Sequence, residues 1–370
     1  SFSLETVGLS TCPPSTYLRV NKILPQAQKL HNPPRGIIRS AMNSPELLLP
    51  TDYVARATEL AKTATKRIYI ISLSLTRGSA TDDLINAILD AARRGVEVHV
   101  AVDLLTFVCD RTSRLPSRLV GPDMMQTNQL RREFAQAGAE FHWLGMQRVP
   151  YLIGRTHSKW TIIDDDVFAF GGVNLNQSGV LERTDYIFHL HDRKITSRLV
   201  SEQQLIETAD PEKRRINDHR ISTDYGEMLL DSGRFGKSVI YNHAVQLARQ
   251  ASELTVVTQY CPSGKLAKIL HQKQAKVYFN PKGSAADIAN NLMIGTKRSV
   301  AEQPNLYTKC RYLHAKFIIA TMPDGSKRAL TGSHNFTAIG VHTGTREIAL
   351  ETSDQSIIAQ LEEFLEKYVA

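Results

Sequence analysis

Apolar positions first fall into a regular pattern after Thr51-Asp52, a pair suited to start a helix, and residues 52–65 set Ala and Leu on one helical face. Arg67-Ile68-Tyr69-Ile70-Ile71-Ser72-Leu73 follows, apolar enough for a strand buried on both faces. Leu84, Ile85, Ile88, Leu89 and Ala92 recur at helical spacing over 82–94, and Gly95 stops that helix. The pattern then predicts a strand over 96–102, a helix over 123–137 and a strand over 139–144. The second part of the chain repeats the order. It predicts a helix over 242–252, a strand over 254–260, a helix over 263–272, a strand over 275–279 and a helix over 284–294. Helices alternating with strands, twice over, predict an α/β fold. Two similar α-β-α halves with mixed, mostly parallel sheets are expected to pair as an internal pseudo-dimer. The expected divisions are an extended proline-rich arm over 1–50, a first half over 51–191, a charged linker over 192–222 and a second half over 223–370. The linker is expected to be solvated, with one helix near 201–208, and Lys213-Arg214-Arg215 reads as part of that solvated run.

Each half ends on the same short phrase. The first copy is His157-Ser158-Lys159, an apolar stretch, then Gly171-Gly172-Val173-Asn174. The second is His314-Ala315-Lys316, an apolar stretch, then Gly332-Ser333-His334-Asn335. Each copy spans a predicted β-hairpin, with Asp164-Asp165-Asp166 as the first turn. Residues two apart on a strand share a face, so His157 groups with Lys159 and His314 with Lys316. Gly171-Gly172 lets backbone approach closely, and Asn174 and Asn335 bring amide donors. Cleaving a phosphodiester needs a nucleophile, an acid for the leaving alkoxide and positive charge around the phosphorus. Histidine fills either of the first two roles, and lysine and asparagine fill the third. One His/Lys pair is a weak signal. Two copies, each followed by Gly-[Gly/Ser]-x-Asn, point to one symmetric active site between the halves, with no metal or cofactor required.

On these residues the chain resembles the phospholipase D superfamily, whose HxK(x)4D motif precedes a G[GS]xN element. The first copy matches at His157, Lys159, Asp164, Gly171, Gly172 and Asn174. The second matches at His314, Lys316, Gly332, Ser333 and Asn335 but has Thr321 at the aspartate position, with a hairpin four residues longer. The resemblance implies that the aspartate braces the fold, and Asp324 is expected to compensate in part. It also implies an acid behind each motif to hold a catalytic histidine, for which Asp185 and Glu347 are the candidates. A carboxylate on one imidazole nitrogen fixes the tautomer and frees the other. By the same analogy His157 attacks phosphorus to give a phosphohistidine, and His314 protonates the leaving group and then activates the acceptor. The resemblance spans roughly 51–370 and leaves the arm outside it.

Composition adds a direction. The 370 residues are 42% hydrophobic and 7% aromatic, so a sizeable core can form. A formal charge of +8 and a pI of about 9.2 favour an anionic partner. Cys12, Cys109, Cys261 and Cys310 form no CxxC pair and are expected as free or buried thiols, with disulfides left open. No apolar run of about 20 residues crosses a membrane. The expected location is the cytoplasm or a membrane surface. The first residue is Ser1 rather than Met, which leaves a trimmed signal or anchor open. His189, His191 and Asp192 could form a metal pair but read as structural. Arg155, Arg183, Lys309 and Arg311 are candidates for a second phosphate, His334 and His342 for the cleft rim, and Trp160 and Phe317 for the core.

The leading expectation is a phospholipid-processing enzyme that docks on anionic lipid, either a phosphatidyltransferase similar to bacterial cardiolipin synthases or a phospholipase. Because the pseudo-dimer is internal, a monomer is expected. A metal-independent nuclease of the same superfamily is the alternative, with nucleic acid as partner. A non-catalytic phosphate-binding scaffold ranks third, since both His/Lys pairs are intact.

Overall fold

Seven strands pair in each of two sheets, and the second sheet repeats the strand order of the first. The structure, a computed structural model, describes residues 44–104, 122–145, 155–281 and 304–370. Most of the arm, the helix expected over 284–294, and Cys12 and Cys109 lie outside these residues.

In the first half, β1 (Glu46–Leu48) leads into α1 (Pro50–Thr63), and β2 (Arg67–Ser72) into α2 (Asp82–Arg93). Then come β3 (Glu97–Asp103), α3 (Pro122–Gln136), β4 (Glu140–Leu144), β5 (Trp160–Ile163), β6 (Asp166–Ala169), α4 (Gln177–Leu181), β7 (Arg183–Thr184) and β8 (Ile187–His191). Helix α1 starts at Pro50, two residues before the expected cap, because proline's missing N–H costs nothing in the first turn. The arm therefore ends earlier than expected: Glu46–Leu48 pairs antiparallel with β8.

Helix α5 (Arg193–Ala209) connects to β9 (His219–Thr223), β10 (Gly226–Ser232), α6 (Val239–Gln250), β11 (Glu253–Val257), α7 (Lys265–Gln272) and β12 (Lys276–Tyr278). The chain closes with β13 (Tyr312–Leu313), β14 (Phe317–Thr321), β15 (Lys327–Gly332), α8 (Ala338–Thr343), β16 (Arg346–Thr352) and α9 (Gln355–Phe364).

The first sheet runs β1-β8-β6-β5-β2-β3-β4, and the second runs β9-β10-β16-β15-β14-β11-β12. From β10 onward the second order matches the first strand for strand, which is the expected pair of similar α/β halves. The balance of pairings is a correction. The sheets are mixed, but antiparallel neighbours outnumber parallel ones. In the first sheet only β2-β3 and β3-β4 are parallel, and in the second only β11-β12. The reason is connection length: β5-β6 and β14-β15 are joined by tight turns, which permit only antiparallel pairing.

The expected solvated linker is also corrected. Asp192 caps α5 by accepting from Lys194 N and Ile195 N, and the helix buries Ile195, Leu199 and Ile206. Residues 219–223 then join the second sheet through β10. Among the charges that suggested a linker, Arg193 and Lys194 of α5 and the run Lys213-Arg214-Arg215 are exposed, whereas Glu202 and Glu207 of α5 are buried.

One apolar cluster takes side chains from both sheets, including Trp160 and Val167 from the first and Phe317 and Ile348 from the second. Helices α5 and α9 complete it with Leu199, Leu361 and Phe364. Each large side chain withdrawn from water there contributes roughly 1.5–3 kcal/mol, so the halves are held together by a shared core. Separate clusters pack α1, α2 and α3 on the first sheet and α6 and α7 on the second. Trp160 and Phe317 lie in the core as expected. Cys261 is a buried thiol outside any disulfide, whereas Cys310 is disulfide-bonded, so the thiol expectation fails at Cys310.

Candidate active site

Both His/Lys segments lie on the stretches that lead into β5 and β14, and each is clamped by the other half. His157 N donates to Arg346 O at 2.8 Å, and Arg346 N to Arg155 O at 2.7 Å. On the other side β13 runs parallel to β7, and His314 N donates to Thr184 O at 2.9 Å. Arg346 and Thr184 each immediately precede a candidate acid, Glu347 and Asp185. The backbone pairing therefore carries each acid to the opposite histidine.

The pairing is crossed. His157 Nδ1 lies 3.0 and 2.9 Å from the two carboxylate oxygens of Glu347. His314 Nδ1 lies 2.6 Å from Asp185 Oδ2. A carboxylate can only accept, so Nδ1 of His157 carries a hydrogen and Nε2 keeps its lone pair. The sequence suggested one acid per motif; it did not show that the acids trade partners, because that depends on how two surfaces dock. Lys159 Nζ donates to His157 O at 2.9 Å, and Lys316 Nζ donates to His314 O. The lysine heads thus return to their own histidine segments. His157 keeps 12% of its side chain exposed, His314 only 2%.

Burial sets the protonation of this set. It pulls His157 down to about 4, helped by the charges of Lys159 and Lys316 and opposed by Glu347. It pulls His314 well below its ordinary value, with Lys316 and Arg183 adding to the effect. Lys159 is lowered to about 8 and Lys316 to about 7, again through burial, with Glu347 and Asp185 pulling the other way. The two acids part company. Burial pushes Asp185 up in spite of Lys316, whereas Glu347 falls to about 2 because His157 outweighs its burial.

The glycine-serine element fits beneath the acids. A Cβ on Gly172 would stand 2.7 Å from both Asp185 carboxylate oxygens and 2.9 Å from His314 O, so no side chain fits there. Ser333 takes the matching place, and its hydroxyl donates to Glu347 Oε2. Asn174 and Asn335 each have an Oδ1 that is buried without a hydrogen-bond partner. These oxygens can only accept, so each leaves room for a donor.

Asp164 lies away from this set. It accepts from Thr65 N, Lys66 N and Arg67 N at 3.0, 2.8 and 3.1 Å, bracing the end of α1 against the β5-β6 turn. These bonds hold its carboxyl below the usual range although burial opposes them. Asp324 does not take over that brace in the second half, since it accepts only from Ser326 in its own turn. There the matching join is Ser252, whose N and Oγ donate to Thr321 O at 2.8 and 2.9 Å. His189 and His191 both pair with Asp166, at 2.8 and 3.3 Å. Arg183 stands near enough to depress both lysines, while Lys309 and Arg311 are exposed. His334 is buried with Nδ1 accepting from Phe336 N, and His342 is exposed. Sequence reasoning missed Arg346, a fully buried cation held by Asp210 at 2.8 Å and Thr156 at 3.0 Å. Its position directly before Glu347 was the available signal.

Residues 58–204 match the family model described as cardiolipin synthase, PLD-like domain. Among solved structures, the chain is similar to the phosphatidylserine synthase of Haemophilus influenzae Rd KW20, with a TM-score of 0.63 at 14% identity, over 87% of this chain and 85% of that one. It is also similar to the polyphosphate kinase of Porphyromonas gingivalis, with a TM-score of 0.55 at 13% identity, over 90% of this chain and 50% of that one. At these identities the likeness is one of fold. No curated protein matches the chain. Among the described residues no helix is long and apolar enough to cross a membrane.

Proposed function

We propose that this chain, a member of the phospholipase D superfamily, breaks and remakes phosphodiester bonds of phospholipids through a phosphohistidine on His157. The observation that carries the reading is the crossed pair of histidines, each held through Nδ1 by a buried carboxylate of the opposite half.

Neutral His157 attacks phosphorus with Nε2, while its Nδ1 keeps its hydrogen and donates it to Glu347. Strongly ionised Glu347 then stabilises the positive charge that the ring acquires. His314 and Asp185 move in opposite directions, the acid raised and the imidazole lowered, so the pair shares its protons. With a proton held on the Asp185 side of the pair, His314 carries its hydrogen on Nε2, where a leaving alkoxide takes it. Environments that push two carboxyls apart divide acid from base in this way. Once the alcohol has left, His314 accepts a proton from the acceptor, whose oxygen attacks phosphorus and frees His157. Water as acceptor gives hydrolysis, and an alcohol gives transfer. Burial lowers Lys159 to about 8 and Lys316 to about 7 when the cleft is empty, so near neutral pH Lys316 above all loses part of its charge. An entering phosphodiester anion restores it and is stabilised in turn, together with the asparagine amides.

The cardiolipin synthase description of the matched domain and the fold shared with a phosphatidylserine synthase favour lipid over nucleic acid. The net positive charge suits peripheral docking on anionic lipid. Both halves of the site belong to one chain, so a monomer suffices.

A paired turnover assay without added divalent metal tests the reading. Phosphatidylglycerol vesicles and labelled single-stranded DNA are each incubated with wild type and His157→Ala. New lipid product that the variant does not make is the expected result, and its identity separates transfer from hydrolysis. Cleavage of DNA alone would move the chain to nucleic acid, and absence of turnover and of an acid-labile phosphoenzyme would leave a phosphate-binding scaffold.

A further inference from the structure

Away from the cleft, two histidines and two glutamates of the first half meet where α5 crosses the sheet edge. His99 Nδ1 on β3 lies 3.0 Å from Glu207 Oε2 on α5 and 3.8 Å from Glu140 Oε2 on β4. His142 Nε2 on β4 lies 3.6 and 3.2 Å from the same two oxygens. Four N and O ligands around a tetrahedral zinc, each about 2.0–2.1 Å from the metal, stand about 3.3 Å from one another. The four separations straddle that value. We propose that His99, His142 and Glu207, whose ligand atoms lie within 4.8 Å of one another, form a zinc site that clamps α5 to β3 and β4, with the exposed Glu140 turning in as the fourth ligand when the ion binds.

The surroundings are arranged as a metal site requires. Glu207 Oε1 accepts from Gln203 Nε2 at 2.8 Å, which leaves Oε2 to face the histidines. The far nitrogen of His99 faces Glu97 Oε1 at 3.6 Å, and Tyr69 donates to that carboxylate. A carboxylate behind a ligating imidazole fixes its tautomer and strengthens it as a ligand. Glu207 is 5% exposed and pairs with no lysine or arginine among the described residues. Glu140, 63% exposed, and His142, 30% exposed, open the site to solvent and give an ion a way in.

The second half holds a similar cluster, Glu227, His243 and Glu351, that argues the contrast. There Arg220 donates to Glu227 at 2.9 Å and Arg328 donates to Glu351, so arginines already balance the carboxylates. The first cluster has no such counter-charge among the described residues. With Glu140 turned in as the fourth ligand no open position is left, which makes the clamp structural rather than catalytic. It would still bear on the cleft. Gln203 also accepts from Trp160 Nε1 at 2.9 Å, and Trp160 directly follows Lys159.

The test uses the whole chain, stripped with a chelator and then titrated with Zn²⁺ against a chromophoric competitor, with Co²⁺ as a spectroscopic probe. One zinc per chain, Co²⁺ bands of tetrahedral intensity and a raised Tm are expected. His142→Ala and Glu140→Gln alter solvent-facing side chains and are each expected to weaken binding at least tenfold. Glu97→Gln, behind the ligands, weakens it about tenfold, and Glu227→Gln leaves it unchanged. No stoichiometric zinc, a weak octahedral Co²⁺ spectrum, or affinity unmoved in both ligand variants overturns the site.

Discussion

The two histidine sites are built from the same parts and differ in what lies beneath the acid. Below Glu347, Ser333 supplies a hydroxyl that donates to the carboxylate. Below Asp185, Gly172 supplies nothing, and there is no room for more than its hydrogen. Burial raises both acids, and a hydrogen bond or positive charge on the charged form lowers them. At Glu347 the charge and hydrogen bond of His157 prevail over burial and carry it to about 2, whereas burial prevails at Asp185 despite Lys316 and the bond from Tyr186 N. Exposure separates the histidines in the same sense: the open His157 can reach phosphorus, and the closed His314 is suited to handing over a proton. Under the proposed mechanism this asymmetry makes the His157 side the nucleophile side and the His314 side the acid side.

The largest effect expected from this comparison is a split by leaving group. His157→Ala should abolish turnover of every phosphodiester, since no bond to phosphorus can form. His314→Ala should lose roughly 10²–10⁴-fold on a lipid substrate, the usual worth of a positioned acid. It should recover most of that loss in the first step on a p-nitrophenyl phosphodiester, whose leaving group needs no proton, seen as a burst of nitrophenolate. Equal losses on both substrates in both variants would make the two sides equivalent and break the assignment.

A smaller effect is expected in the pH profile of kcat/KM, which reports the free enzyme. His157 must be neutral to attack, so activity should fall as pH drops through about 4, where the ring takes a proton. The lysines must be charged to receive the anion, so activity should also fall as pH rises through about 7 to 8, where Lys316 and Lys159 lose theirs. A plateau continuing to pH 10, the range of an ordinary lysine, would show that the ammonium groups are not held as the structure places them.

Much of this site was legible in the sequence because the chemistry is written in contiguous spacing. His157 with Lys159, His314 with Lys316, and the Gly-[Gly/Ser]-x-Asn elements each lie within a few residues, and local backbone geometry brings them together. The crossed acids were not legible, since Glu347 reaches His157 only through the pairing of Arg346 with Arg155 and His157 across the interface. The brace at Asp164 was visible, but its replacement was not. Ser252 to the Thr321 carbonyl is a bond to backbone, which leaves no residue signature at position 321. Helix α5 reads as a linker because charges stand on both of its faces: Glu202 and Glu207 are buried beside Ile195, Leu199 and Ile206, and only the fold supplies the histidines, His219 and His99, that receive them. Parallel and antiparallel pairings share the same alternation, so the balance of strand directions had to come from the turns.

The smallest and most specific test makes the second half copy the first at one atom. Ser333→Gly removes the hydroxyl that shares Glu347's charge with His157, leaving the imidazole as its principal partner. The imidazolium is then better stabilised, so the acid limb of kcat/KM should move up from about 4. The carboxylate is also less well fixed, and losing one hydrogen bond to a charged group is worth about 1.5 kcal/mol, or about tenfold in kcat. KM should change little, because Ser333 is buried beneath the acid and lies out of reach of a bound lipid. A purely structural role for Ser333 predicts the opposite signature: a lower Tm, with the acid limb where it was. Only the shifted limb would show that the hydroxyl tunes the nucleophile through Glu347.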